Sequence, residues 1–159
     1  MDLSQFITRF TAISTEIAVV RQACLEEGAK EFLKRAQDAM GTYEYGWPPL
    51  QPATIVRKRT GDSPLVETGE MRASGIIEHR GVEVFVEFTD PKMVYHEFGT
   101  SRVPPRPVIG GTIDHHGQEI ADLIGVHFVA IMDETVAMGS VASAISHVER
   151  SSRGWIFAR

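Results

Sequence analysis

The stretch IIEHRGVEVFVEF, Ile76 to Phe88, decides the fold class. Val82, Val84, Val86 and Phe88 alternate with Glu83, Phe85 and Glu87, the period of a half-buried strand. IIEHRG before it supplies a partner strand, with Arg80–Gly81 at the turn. One face of such a hairpin is apolar, so a helix must cover it. Helical patterns lie on both sides. In residues 3 to about 40, Leu3, Phe6, Phe10, Ile13, Ile17, Val20 and Cys24 recur at three- and four-residue steps. The stripe continues through Leu25, Phe32, Leu33, Ala36 and Met40. Residues 112 to about 134 carry Ile113, Ile120, Leu123, Ile124, Phe128 and Ile131 at the same spacing. A further segment, Val136 to Val148, carries Val141, Ile145 and Val148. The expected class is α+β: a long N-terminal helix and a C-terminal helix packed on a small antiparallel β-sheet. Residues 1–135 read as the main domain. Residues 136–159 read as a C-terminal helical extension and arm, ending in the apolar, β-prone SSRGWIFAR.

The first helix has one weak point, Gly28, which costs about 1 kcal/mol relative to Ala, and a natural stop at Gly41. At 1.5 Å per residue it would run ~55 Å, more than a compact domain of this size needs. It is therefore expected to project, to pack against another chain, or to break near Gly28. Between it and the hairpin, Gly46, Pro48, Pro49 and Pro52 make an irregular connection. A short helix is expected from Pro52 to about Lys58, and a second over Gly69 to Ala73 with Thr68 as N-cap.

Length and composition bound the function. The chain has 159 residues, 43% apolar and 23% charged, enough for one ordinary core and too ordered in composition for global disorder. A net charge of −5 argues against a surface that grips nucleic acid throughout. The single cysteine, Cys24, excludes a disulfide within the chain and reads as a small buried side chain. MDLSQFITRF lacks the basic and apolar regions of a signal peptide, and no stretch approaches the ~20 apolar residues of a membrane span. These features predict a soluble protein made in a cytoplasm, with no membrane partner.

Several clusters carry potential chemistry. His96 and Glu97 form an acid–base pair in composition, but adjacent side chains diverge on helices and strands alike, and no nucleophile sits at a recognisable spacing. His115, His116 and His127 suggest metal. However, His116 and His127 would stand about 16 Å apart along a helix, whereas zinc ligands converge within ~2.1 Å of one point. Neither a P-loop nor a dinucleotide fingerprint is present. No catalytic, cofactor-binding or metal-binding residue is therefore assigned, and no cofactor is expected. Arg57, Lys58 and Arg59, with Arg102, are candidate basic contacts to phosphate or to an acidic neighbour. Arg106, fixed between Pro105 and Pro107, suits a side chain that must point one way, into a carboxylate or a partner surface. Trp47–Pro48–Pro49–Leu50 has the make-up either of a loop pinned to its own core or of an interface anchor.

The order of these pieces carries a resemblance. Trp47 and Leu50 come with Thr54 and Lys58, then Pro64–Leu65 with Thr68–Gly69 and Met71, then a strand. Tyr95, His96, Phe98–Gly99–Thr100 and Pro105–Arg106–Pro107 follow. Over roughly residues 1–135 this resembles the tail-completion and head–tail joining proteins of tailed bacteriophages, the virion morphogenesis or minor tail component family. Val108–Ile109 stands where an aromatic–leucine pair is expected, and residues past 135 have no counterpart. The resemblance implies a structural virion protein, not an enzyme. It implies a homo-oligomeric ring, typically hexameric, at the neck or tail top. Its partners would be other neck and tail proteins, with DNA only as cargo through the lumen. It would be located in the virion, and in the host cytoplasm during assembly. Under that reading YHEFGTSRVPPRPVIGG, Tyr95 to Gly111, is a rigid joint at a subunit contact, with Trp47, Leu50, Tyr95, His96, Phe98, Gly99, Pro105, Arg106 and Pro107 as joint or interface residues. The alternatives are a small hydrolase using His96 and Glu97 with Asp90 or Asp114, and a DNA-binding accessory factor using Arg57, Lys58 and Arg59.

Overall fold

The computed structural model describes residues 2–138 and 141–152. The expectation of a strand or arm in the tail from Arg153 lies outside them. In chain order the elements are α1 (Leu3–Ala39), α2 (Pro52–Arg57), α3 (Glu70–Ala73), β1 (Gly75–Arg80), β2 (Glu83–Phe88), α4 (Lys92–Phe98), α5 (Ile109–Met138) and α6 (Val141–Ser152). The fold is α+β, with long N- and C-terminal helices and one antiparallel β1–β2 hairpin. α1 is continuous through Gly28.

The chain divides into two compact units interleaved along the sequence. One comprises Met1–Gly28, Gly81–Glu83 and Ala121–Arg159. Its core is Val20 and Cys24 of α1, Ile131 of α5, and Val141, Ala144 and Val148 of α6. The i, i+3 and i+7 spacing on α6 puts its three core residues on one stripe, which is why the segment folds as a packed helix. Cys24 is buried as expected, and burial, with Glu27 nearby, pushes its thiol pKa up. Arg21 Nη2 donates to the carbonyl of Val82 in the hairpin turn, 3.4 Å away.

The other unit comprises Ala29–Arg80 and Val84–Ile120. Its core is Ala36, Ala39 and Met40 from the end of α1, with Trp47, Met71, Met93 and Val108. The small Ala36 and Ala39 let neighbouring elements approach α1 closely. Phe88 of β2 packs against this cluster, and the α-carbon of Gly75 faces Leu33 of α1. The apolar side of the hairpin is thus covered by a helix, as the alternation requires. Two details differ from that pattern. Val82 is exposed in the turn rather than on the covered face. Phe85, on the other face, is half-buried because the Arg80 guanidinium lies 4.6 Å above its ring.

Two further differences concern short elements. The N-cap of α3 is Gly69, not Thr68; the Thr68 hydroxyl accepts the Glu70 N–H at 3.4 Å instead. α4 is a helix where the sequence reading placed loop. It starts after Asp90–Pro91, with the Asp90 carboxylate accepting the Lys92 N–H at 2.9 Å and Met93 buried in the core. Seven residues are too few to show a helical period above noise.

Gly111, in the first turn of α5, abuts Tyr45. A β-carbon there would stand 2.4 Å from Cδ2 and 3.0 Å from Cγ of the ring. Gly111→Ala is therefore expected to destabilise the protein by about 1–3 kcal/mol, since the ring must move and its hydroxyl contact to Thr112 must break. Urea denaturation measures this, and adding Tyr45→Ala should recover most of the loss specific to the clash.

Candidate functional site: a capped joint beside a basic cleft

The segment from α4 to α5 is organised by one side chain. Glu97, near the end of α4, turns its carboxylate onto the start of α5. Its Oε2 accepts the N–H groups of Val108 and Ile109 at 2.7 and 3.0 Å, and Oε1 accepts that of Gly110 at 2.7 Å. The first N–H groups of a helix have no partner within the helix, and its N-terminal end carries partial positive charge. A half-buried carboxylate satisfies both conditions at once. The turn that brings it there runs from Gly99 to Pro107. Gly99 has φ +73°, and a β-carbon on it would come within 2.9–3.0 Å of Pro105 and the Val103 carbonyl, so only glycine fits. Thr100 closes the turn: its N–H donates to Val103 O at 2.8 Å, and its hydroxyl accepts from Arg102 and Val103.

The other side of the joint is pinned by aromatics. Trp47 is 5% exposed and its Nε1 donates to the carbonyl of Pro107 at 3.1 Å. Tyr45 packs edge-on to Trp47 and its hydroxyl meets Thr112 Oγ1 at 3.0 Å. Thr112 in turn donates to Val108 O at 2.8 Å. Of the two readings of the Trp47 segment, the structure gives the pinned loop. Pro48 and Pro49 stay exposed and Leu50 half-buried.

His96 and Glu97 face different surroundings. His96 lines an open cleft of about 490 Å³, while Glu97 is not on its wall. Both Glu97 oxygens accept backbone N–H groups, which occupies three of its roughly four acceptor sites, stabilises the charged form and so weakens it as a general base. Burial lowers the His96 pKa, and the positive charges of Arg106, Lys58 and Lys92 push it the same way against the opposing Asp90. Both causes favour the neutral imidazole. The other two carboxylates considered with this pair do not join it. Asp90 accepts the Lys92 N–H just ahead of α4 and lies 3.6 Å from the Lys92 ammonium, and Asp114 is exposed on α5.

The cleft is built from the 48–51 segment, α2, the loop before α3, the start of α4 and the 102–106 turn. Arg106 is 6% exposed. Its N–H donates to His96 O at 2.7 Å and its Nη2 to Pro48 O at 2.9 Å, and its Nε is buried without a partner. The side chain of the proline-flanked arginine thus reaches one carbonyl, that of Pro48, rather than a carboxylate. Lys58 donates to Ser63 O at 2.6 Å and lies 3.9 Å from Glu67, so it is tied to its own loop. Arg57 bonds back to Ala53 O at 3.0 Å, and Arg59 and Arg102 are exposed. The basic triplet is not one patch, because its middle member turns inward.

Of the three histidines considered for metal, His115 and His116 are neighbours with ring centroids 6.4 Å apart, and each is engaged by other groups. His115 stacks on Tyr45 with ring centroids 4.9 Å apart. His116 lies 3.3 Å from Glu44 and 3.5 Å from Glu119. His127 is buried in the other unit. No group of three metal-ligating side chains occurs among the described residues. Among them, too, no helix is long and apolar enough to cross a membrane. Comparison with protein-family models, curated proteins and solved structures finds no match.

Glu97→Ala leaves three N–H groups at the α5 start to water and is expected to cost about 2–3 kcal/mol; Glu97→Gln, which keeps an acceptor but loses the charge, should cost about half that. Urea denaturation of both variants checks the order. His96 gives a pH signature. Its folded pKa lies below the ordinary 6.5, so the unfolded chain binds the extra proton first as pH falls. Its contribution to stability is full above that value and declines as pH drops from there toward the folded pKa. The thermal midpoint of the wild type should fall over this window more steeply than that of His96→Gln.

Proposed function

We propose that this chain is a non-catalytic assembly protein whose copies dock around an axis. It would form a ring, most simply a hexamer, that completes a bacteriophage tail or joins it to the head with DNA passing through the lumen. The observation that carries the reading is the exposed apolar face of α4. Val94, Tyr95 and Phe98 are 57%, 58% and 79% exposed, and their i, i+1, i+4 spacing gathers them on one side of the helix. Glu97, between them in sequence, locks the same helix to α5. A helix anchored in this way and showing two aromatics and a valine to water is what a contact surface requires. In the other unit α1 leaves Leu3, Ile7, Ile17 and Val19 exposed. A ring needs two different surfaces on each subunit, one for each neighbour, and these two are candidates. The resemblance over residues 1–135 supports the phage setting.

Against the hydrolase alternative stands the engagement of both Glu97 oxygens. Against the DNA-binding one stands the inward turn of Lys58.

Sedimentation velocity over a range of concentrations tests the proposal. A discrete closed oligomer is expected, and Phe98→Asp should weaken association by about 2 kcal/mol or more per contact, roughly 30-fold, while the melting temperature of the dissociated subunit at low concentration stays unchanged. A wild-type chain that stays monomeric at the highest concentration, and is unaffected by Phe98→Asp, overturns it.

A further inference from the structure

The cleft holds a charge that the chain does not balance. Arg106 is 94% removed from solvent by its 6% exposure, yet its bonds go to the neutral carbonyls of Pro48 and, through its backbone, His96. Its Nε has no partner, and among the described residues no carboxylate pairs with it. Burying an unpaired guanidinium is costly, and folded chains retain one chiefly where an anion completes it. A second polar atom in the same wall, His96 Nδ1, is also buried without a partner. The wall includes Lys58, Lys92 and Arg102 besides Arg106, against Glu67 and Glu70, so it is net positive on a chain of charge −5. Two of the four cations already have acidic neighbours, Lys58 at 3.9 Å from Glu67 and Lys92 at 3.9 Å from Glu70. The unbalanced charge is that of the two arginines.

We propose that this cleft is a binding site for a single carboxylate carried on an apolar stem, with Arg106 and Arg102 pairing the carboxylate. The stem lies against Pro48, Leu50, Met71, Val103 and Pro104, which supply the apolar part of the lining. A planar guanidinium matches the two oxygens of a carboxylate. A phosphate chain fits poorly, because Glu67 and Glu70 stand in the same wall. The carboxylate comes either from an acidic side chain of a second copy or from a free carboxylic acid. The site follows from the unbalanced arginine and stands whether or not copies assemble.

Titration of the full chain with sodium butyrate, followed by the His96 ring signals in NMR at constant ionic strength, tests it. Saturable shifts are expected, absent with sodium chloride. Arg106→Gln should weaken binding at least about tenfold. Arg102→Gln, at an exposed position where folding is not at stake, should weaken it about two- to threefold. If Arg106→Gln fails to fold, the Arg102→Gln comparison decides. Sedimentation in butyrate separates the sources. Dissociation of a self-associated form assigns the natural carboxylate to a second copy, and binding with association unchanged assigns it to a free acid. No saturable shift, equal affinity in wild type and Arg102→Gln, or shifts induced by duplex DNA but not by butyrate each overturn the proposal.

Discussion

Three backbone N–H groups converging on one carboxylate fix the joint between α4 and α5. Val108, Ile109 and Gly110 would otherwise open α5 with unsatisfied donors on a partly buried helix end. Glu97 meets them from a different helix, so the contact does two jobs. It starts α5, and it sets the angle at which α4 leaves it. The exposed row on α4 and the cleft beside His96 both inherit their positions from this bond set. Nothing of the kind holds α2, whose cap has no side-chain bond and which contains no buried residue.

The joint is stiff because several small constraints agree. Gly99 supplies a backbone shape that other residues resist, and the prolines on both sides of Arg106 narrow the chain's options. Trp47 closes the far side by bonding Pro107, and Tyr45 fits against Gly111, where no side chain fits. Each of these acts at one position. Glu97 is different, because three donors lose their acceptor together.

Much of the architecture was legible from residue patterns. The alternation in β2 and the stripes of α1, α5 and α6 are long enough to stand above noise. The burial of Cys24 and the turn at Gly81 follow from the same reasoning. α4 was not legible, since its length gives no period to detect and its sequence sits beside prolines that suggest loop. Thr68 was displaced as a cap by one residue, because Gly69 takes the left-handed conformation at the helix start. At the site, the need for a turn at Gly99 was readable from its glycine and the nearby prolines, and the divergence of His96 from Glu97 from their adjacency. The role of Glu97 was not. Capping signals are local in sequence, spanning three residues or so, while this carboxylate reaches 11 to 13 positions ahead. Arg106 was expected to reach a carboxylate or a partner surface, and its bond to the Pro48 carbonyl was not legible, because a carbonyl leaves no mark in the sequence.

The turn between Gly99 and Pro107 behaves as a ruler. Its contour sets how far the Glu97 oxygens stand from the donors they serve, and hydrogen bonds of 2.7 to 3.0 Å leave no slack for an additional peptide unit of ~3.8 Å. Insertions that a surface loop ordinarily absorbs are therefore barred here. Any redesign of this protein that lengthens or shortens a segment has α2 and its flanks to work with, and must leave this stretch at its present length.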